Sequence, residues 1–155
     1  MASSSVSVIN ARLRETSTTP LFALGTSTID DVGSRWEYVR ATSVLNIYDY
    51  AKVNADFTAV AGTTTLLPTT EPARIGCAQI AFALNEYGWV VRSGQHIGNF
   101  AASCVQNVKI YTTATPGVVD DAATTLINGL KLITTITTAA AAPAFASCDM
   151  TTAAA

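Results

Sequence analysis

The sequence predicts an all-β fold: a single small β-barrel or sandwich with an extended N-terminal arm. Three observations predict it. Short runs rich in Val, Ile, Thr, Tyr and Trp recur along the chain, about eight of them, separated by turn residues every ~8–12 positions. The charged fraction is 13%, about half the level near 25% usual for soluble domains. Chemistry-bearing side chains are sparse, with one His and three scattered Cys. The chain divides into an arm (residues 1–20), a β-domain (21–138) and an Ala-rich C-terminal tail (139–155). At 155 residues it matches one domain and can bury roughly two-thirds of its extended-chain surface.

The arm is rich in Ser and Thr, with Arg12, Arg14 and Glu15 its only charges and Pro20 at its end. Val6 and Val8 alternate, so the segment forms a strand only where another strand accepts it. It reads either as a frayed terminus or as an arm that orders against a neighbour. In the second reading Val6, Val8, Ile9, Arg12 and Arg14 make the partner contacts.

Residues 21–24 form a short apolar run ending at Gly25, and residues 26–34 read as a turn punctuated by Asp30, Asp31 and Gly33. In the strand expected over residues 35–42, alternation places Trp36, Tyr38 and Arg40 on one face and Glu37, Val39 and Ala41 on the other. An aromatic face of this kind is more often core than binding surface. Strands are expected over 48–53 and 57–60, joined by a turn at Asn54–Asp56, and a Thr-rich loop over 62–70 follows. The near-continuous apolar run 75–84 is expected to be one buried strand.

Further strands are expected over 87–92, 97–101 and 105–112, the first two separated by a turn at Ser93–Gln95 and the last with Val108 and Ile110 on one face. A turn at Thr115–Gly117 precedes a loop or single helical turn through 122–125. A closing strand over 128–136 points Leu130, Leu132 and Ile136 to one side. The tail reads as small and irregular. The expected core comprises Val39, Ile80, Phe82, Val91, Ile110 and Leu132. WEYVRATS (36–43) and GWVVRSG (88–94) echo one another, as two strands of like composition do by chance.

A net charge of −2 gives no general attraction to nucleic acid, and the basic residues form no stripe. No segment supplies the ~18 apolar residues of a membrane span, and the N-terminus lacks the basic start and apolar stretch of a secretory signal. Cys77, Cys104 and Cys148 form no CxxC pair, which argues against a zinc or redox site and for buried free thiols. His96 lies in a turn-like context, where a surface or subunit-contact role is the ordinary one. No motif brings a nucleophile and a carboxylate to it. Asp30–Asp31 and Asp120–Asp121 read as turn residues bonding their own backbone, since neither has an EF-hand pattern. Trp36, Tyr38, Tyr48, Tyr50, Tyr87 and Trp89 would serve as a sugar platform only if exposed. No cofactor, metal or catalytic residue is expected.

The ordered segments FALGT (22–26), GSRWEYVRAT (33–42), IGCAQIAF (75–82), EYGWVVRSG (86–94) and AASCVQNVKIYTTATPGVVDD (101–121) resemble small virion proteins of tailed bacteriophages, the capsid decoration or cement proteins, cyanophage ones among them. The resemblance covers residues 21–138 and rests on strand texture and the YGWVVRSG and YTTATPGVVDD phrases. It implies a non-enzymatic protein made in the host bacterial cytoplasm and bound to the major capsid protein on the capsid exterior, where it bridges capsomers. That reducing compartment would keep the three thiols free. It carries over no catalytic residue. A low-charge β-domain also suggests self-association, most simply a homotrimer, with no nucleic-acid or membrane partner. The rival readings are a receptor- or glycan-binding module of a head or tail fibre and, behind it, a secreted hydrolase fragment.

Overall fold

The computed structural model describes residues 11–67 and 72–153. Val6, Val8 and Ile9 lie outside the described residues, as does the end of the Thr-rich loop. Ten strands form among the described residues, and no helix: β1 (Ser27–Ile29), β2 (Arg35–Ala41), β3 (Tyr50–Val53), β4 (Thr58–Ala61), β5 (Arg74–Ala78), β6 (Tyr87–Phe100), β7 (Ile110–Thr112), β8 (Val119–Asp120), β9 (Leu126–Leu132) and β10 (Ala140–Thr152). The all-β class holds.

The ten strands make one sheet that closes on itself. It contains two circuits. In the first, β2 pairs β4, β4 pairs β3, β3 pairs β5, β5 pairs β6, and β6 returns to β2. In the second, β6 pairs β8, β8 pairs β7, β7 pairs β9, β9 pairs β10, and β10 returns to β6. Each circuit has one parallel contact, β2 with β4 and β6 with β8, and is otherwise antiparallel. The registers correspond as well. Ala41 faces Ala59 in one and Phe100 faces Val119 in the other. Glu37 faces Val90 in one, and His96 faces Ala144 in the other. The chain is thus two rings of the same connectivity that share β6. Ring closure is also the physical answer to sheet edges, which otherwise expose unpaired backbone.

A bulge makes the sharing work. Arg35 faces Ser93 and Trp36 faces Val91, so Arg92 is an extra residue on β6. Gly94 follows with φ +92°, a conformation that L side chains rarely adopt. The expected turn at Ser93–Gln95 is therefore a bend inside one long strand. The first half of β6 pairs β2 and β5, and the second half pairs β10.

Three apolar clusters hold the fold. Val39, Ala41, Leu45, Ala51, Val53, Ala59, Ala78, Phe82 and Val90 fill the first ring. Phe100, Ile110, Val119, Ile127, Leu130, Leu132, Ala142, Ala144, Ala146 and Met150 fill the second, joined by Tyr50, Ile75 and Cys77 from the first. Trp36, Tyr38, Trp89 and Val91 pack outside the first ring under Ala11, Leu13, Phe22 and Leu24. Of the expected core, Val39, Phe82, Val91, Ile110 and Leu132 are buried, and Ile80 is only half-buried beside the first-ring cluster.

Several expectations are corrected. Residues 21–24 form no strand; Phe22 and Leu24 cap the aromatic cluster while Leu21 is exposed. β1 lies instead within the segment read as a turn. The run 75–84 is strand only to Ala78, because Gln79 turns inward and Phe82 pairs back with Leu45. The run 105–112 is strand only from Ile110, and Val108 is exposed. Of the loop or single helical turn expected through 122–125, the loop is what forms.

The largest correction is the tail, which is not irregular: it forms β10. Ala140 to Ala146 face Phe100 to Gly94 in unbroken register, with Ala142, Ala144 and Ala146 buried. Pro143 cannot donate to a ladder, but its carbonyl still accepts the Ile133 amide. Neighbouring strands override the weak local preference.

Candidate functional site

Alternation on β2 puts Glu37 on the same face as Val39 and Ala41, and the fold buries all three. On β6, Val90 and Arg92 share that interior. Glu37 and Arg92 meet at 3.5 Å, both almost wholly buried. Arg74 also contacts Glu37 and stacks over Phe57 at 4.9 Å. The Arg92 guanidinium reaches the Ile75 and Met150 carbonyls. Burial lowers its pKa to about 10; Glu37 opposes that shift and Arg74 and Arg35 add to it. Arg92 stays charged at neutral pH, so this is a structural ion cluster closing one end of the first ring.

His96 occupies the corresponding position in the second ring. It is buried, contrary to the surface role expected. Its Nδ1–H donates to the Gly94 carbonyl at 3.0 Å, and its Nε2 accepts from the Tyr50 hydroxyl at 3.0 Å. A carbonyl only accepts, so Nδ1 carries the proton. Burial lowers its pKa to about 4, partly offset by the Gly94 bond. Burial also raises the Tyr50 pKa, helped by Cys77 and Cys104. Gly98 makes room: a methyl there would collide with the Tyr50 phenol.

The three cysteines are free, with Cys77 and Cys104 buried and Cys148 exposed. Burial and Asp49 raise the Cys77 pKa. Cys104 lies beside Asp120 and Asp121, their ligand atoms within 4.8 Å of one another. Burial first, then the two carboxylates, push its thiol up to about 11. Asp121 Oδ2 accepts the Val105 amide and Asp120 Oδ1 the Asp121 amide, at 2.9 and 2.8 Å. These are loop-fixing bonds. Asp30 acts likewise, accepting the Val32 and Ser34 amides on one oxygen and the Trp36 indole on the other. Asp30 and Asp120 thus act as turn residues, whereas Asp121 ties its loop to Val105, sixteen residues back along the chain.

The aromatic residues are inside. Trp36, Tyr38, Tyr50 and Trp89 are buried, while Tyr48 and Tyr87 are half-buried. Phe22 packs edge-on to Tyr38 at 5.3 Å, and Tyr38 stacks with Tyr87 at 6.4 Å. An exposed sugar platform is not formed by them.

The exposed surface carries apolar side chains instead. Leu21, Ile29, Val32, Val44 and Leu84 are each more than half exposed, with Phe145 and Ile133 less so. Val32, Ile97, Ile133 and Pro143 line a cavity of about 320 Å³ with Arg14 on its rim and His96 in its wall. Of the expected partner-binding residues, Arg12 pairs with Glu15 at 3.1 Å and Arg14 is exposed at that cavity. Residues 11–20 lie against their own domain, with Ser17 and Tyr87 exchanging backbone bonds. The sequence reading missed the Glu37–Arg92 and His96–Tyr50 contacts. Glu37's place among apolar residues on its face was the one signal available.

No protein-family model matches the chain, and no curated protein or solved structure matches it. No helix among the described residues is long and apolar enough to cross a membrane.

Proposed function

We propose that this protein is a non-enzymatic virion component of the capsid decoration type, binding the major capsid protein on the head exterior and stabilising the lattice. One observation carries the reading. His96, Cys77 and the Glu37–Arg92 pair are buried in structural contacts, while Leu21, Ile29, Val32, Val44 and Leu84 stand more than half exposed, apolar area that contact with a partner would cover. The phrase-level resemblance to phage cement proteins supports the same reading. The buried aromatic rings weigh against a glycan platform.

In this proposal the protein works as a homo-oligomer, a trimer in the simplest case, with Val6, Val8, Ile9, Arg12 and Arg14 among its partner contacts. It needs no cofactor and binds neither nucleic acid nor membrane. It is made in the host bacterial cytoplasm.

The test is particle composition. Phage heads purified from the source of this chain should contain it at a fixed ratio to the major capsid protein, measured by quantitative mass spectrometry. Heads stripped of it should disrupt at lower temperature. Absence from heads together with binding to cell envelopes would replace this reading with the adhesin.

A further inference from the structure

A parallel strand pair brings three ligand-bearing side chains together. Phe100 at the end of β6 faces Val119 in β8, and the Ala101 amide donates to the Val119 carbonyl. The chain beyond Phe100 therefore runs on beside Asp120 and Asp121. The loop is fixed there: Ser103 turns it with φ +65°, and the Cys104 carbonyl accepts the Ile136 amide. Cys104 Sγ and a carboxylate oxygen from each of Asp120 and Asp121 lie within 4.8 Å of one another.

Neither carboxylate takes part in an ion pair among the described residues, where the basic groups meet other acids. Asp120 Oδ1 and Asp121 Oδ2 each accept one amide, which aims the carboxylates and leaves the second oxygen of each open. Cys104 is fully buried, and its thiol donates to no acceptor among the described residues. A buried thiol usually packs as a small apolar group, but two unpaired carboxylates are not apolar company. Burial and those carboxylates disfavour the thiolate, while the Asp121 and Val105 amides favour it. A cation is the group that would satisfy all three side chains at once.

We propose that Cys104, Asp120 and Asp121 bind a divalent cation of the zinc type, which ties residues 101–105 to the end of β8. Calcium and magnesium take oxygen ligands, so the sulfur selects against them. One thiolate and two carboxylates suit Zn²⁺, with water at the fourth tetrahedral position. Bonds of about 2.3 Å to sulfur and about 2.0 Å to oxygen set tetrahedral ligand atoms roughly 3.3–3.5 Å apart, so the half-buried carboxylates close in by about an ångström. Binding releases the thiol proton to solvent, and the metal charge offsets the thiolate and both carboxylates. The ion is structural, and the capsid reading stands or falls without it.

The test uses the full chain, stripped with a chelator and titrated with Co²⁺ and with Zn²⁺. Cobalt should produce a near-ultraviolet thiolate charge-transfer band that saturates at one ion per chain, and Zn²⁺ should abolish it by displacement. Cys148→Ser, which removes the exposed thiol, should leave the band intact, whereas Cys104→Ser should erase it. Asp120→Asn should weaken Zn²⁺ binding at least about tenfold, the loss usual when even a supporting group is removed. That variant carries the test if far-UV circular dichroism shows Cys104→Ser misfolded. Zn²⁺ should also raise the melting temperature of the full chain, and raise it less in Asp120→Asn. A titration without the band would overturn the proposal. So would a band that is lost with Cys148, or Zn²⁺ binding undiminished in Asp120→Asn.

Discussion

The two rings share one connectivity and are filled in opposite ways. The strands of the first line it with small side chains contributed evenly, Val39, Ala41, Ala51, Val53, Ala59, Ala78 and Val90, and Leu45 and Phe82 join them from outside the strands. The second sets large against small. Phe100, Ile110 and Leu132 stand at the places of Ala41, Ala51 and Ala78, and Gly98 and Ala144 at those of Val39 and Val90. Filling an interior to normal density constrains total volume more than individual identities. The buried polar position differs in the same spirit. Glu37 in the first ring is met by the Arg92 and Arg74 guanidiniums, while His96 in the second is neutral and met by a tyrosine from the first. One backbone plan thus tolerates a charged or an uncharged interior group, each met by a side chain from another strand.

The sharpest way to break this comparison is to leave one partner alone. Glu37→Ala strands the Arg92 charge in the first ring and is expected to cost about 3–5 kcal/mol in chemical denaturation. Replacing Glu37 and Arg92 together by Met should lose less than Glu37→Ala alone. A greater loss from the double change would show that the ring needs the ions themselves.

The second ring should instead be sensitive to acid. His96 has a folded pKa of about 4 against an ordinary 6.5. Above pH 6.5 both folded and unfolded forms are neutral there, and no penalty exists. As pH falls toward 4 the unfolded chain binds the proton first, so stability drops by about 3 kcal/mol across that window. Denaturation midpoints at pH 7 and pH 4 measure it, and His96→Asn should flatten the difference. Asp56, whose carboxyl is held below its ordinary 3.8 chiefly by the Thr58 hydroxyl, adds its own loss only below that range.

A smaller effect is expected from Tyr50→Phe, which leaves His96 Nε2 without its donor and should cost ~1–3 kcal/mol. Gly98→Ala should cost a similar ~1–3 kcal/mol by overpacking the same contact. If Tyr50→Phe costs nothing, the link between the rings is packing alone. The least perturbing probe is thiol labelling of the native protein. Cys148 is expected to react, while Cys77 and Cys104 react only on unfolding.

The all-β class was legible because β-branched and aromatic runs bounded by turn residues reflect local preferences, as in β2 and in the β3–β4 turn. Most of the core was legible for the same reason: Val39 and Val91 sit in apolar alternation whatever lies beside them. The Asp30 and Asp120 turns were readable too, since their bonds reach only a few residues along the chain.

What tertiary structure decided came from partners distant in sequence. Ala140 to Ala146 carry little local preference for a strand and become one because β6 and β9 lie on either side. Ser93–Gln95 look like a turn and become a bend within one strand because β6 serves both rings. The burial of His96 depends on Tyr50 reaching across and on Gly98 leaving space, and no local pattern encodes that encounter. Local chemistry alone therefore set the kind of structure and its punctuation. Ring closure was set by long-range pairing, whose energy arises only once all its members are in place.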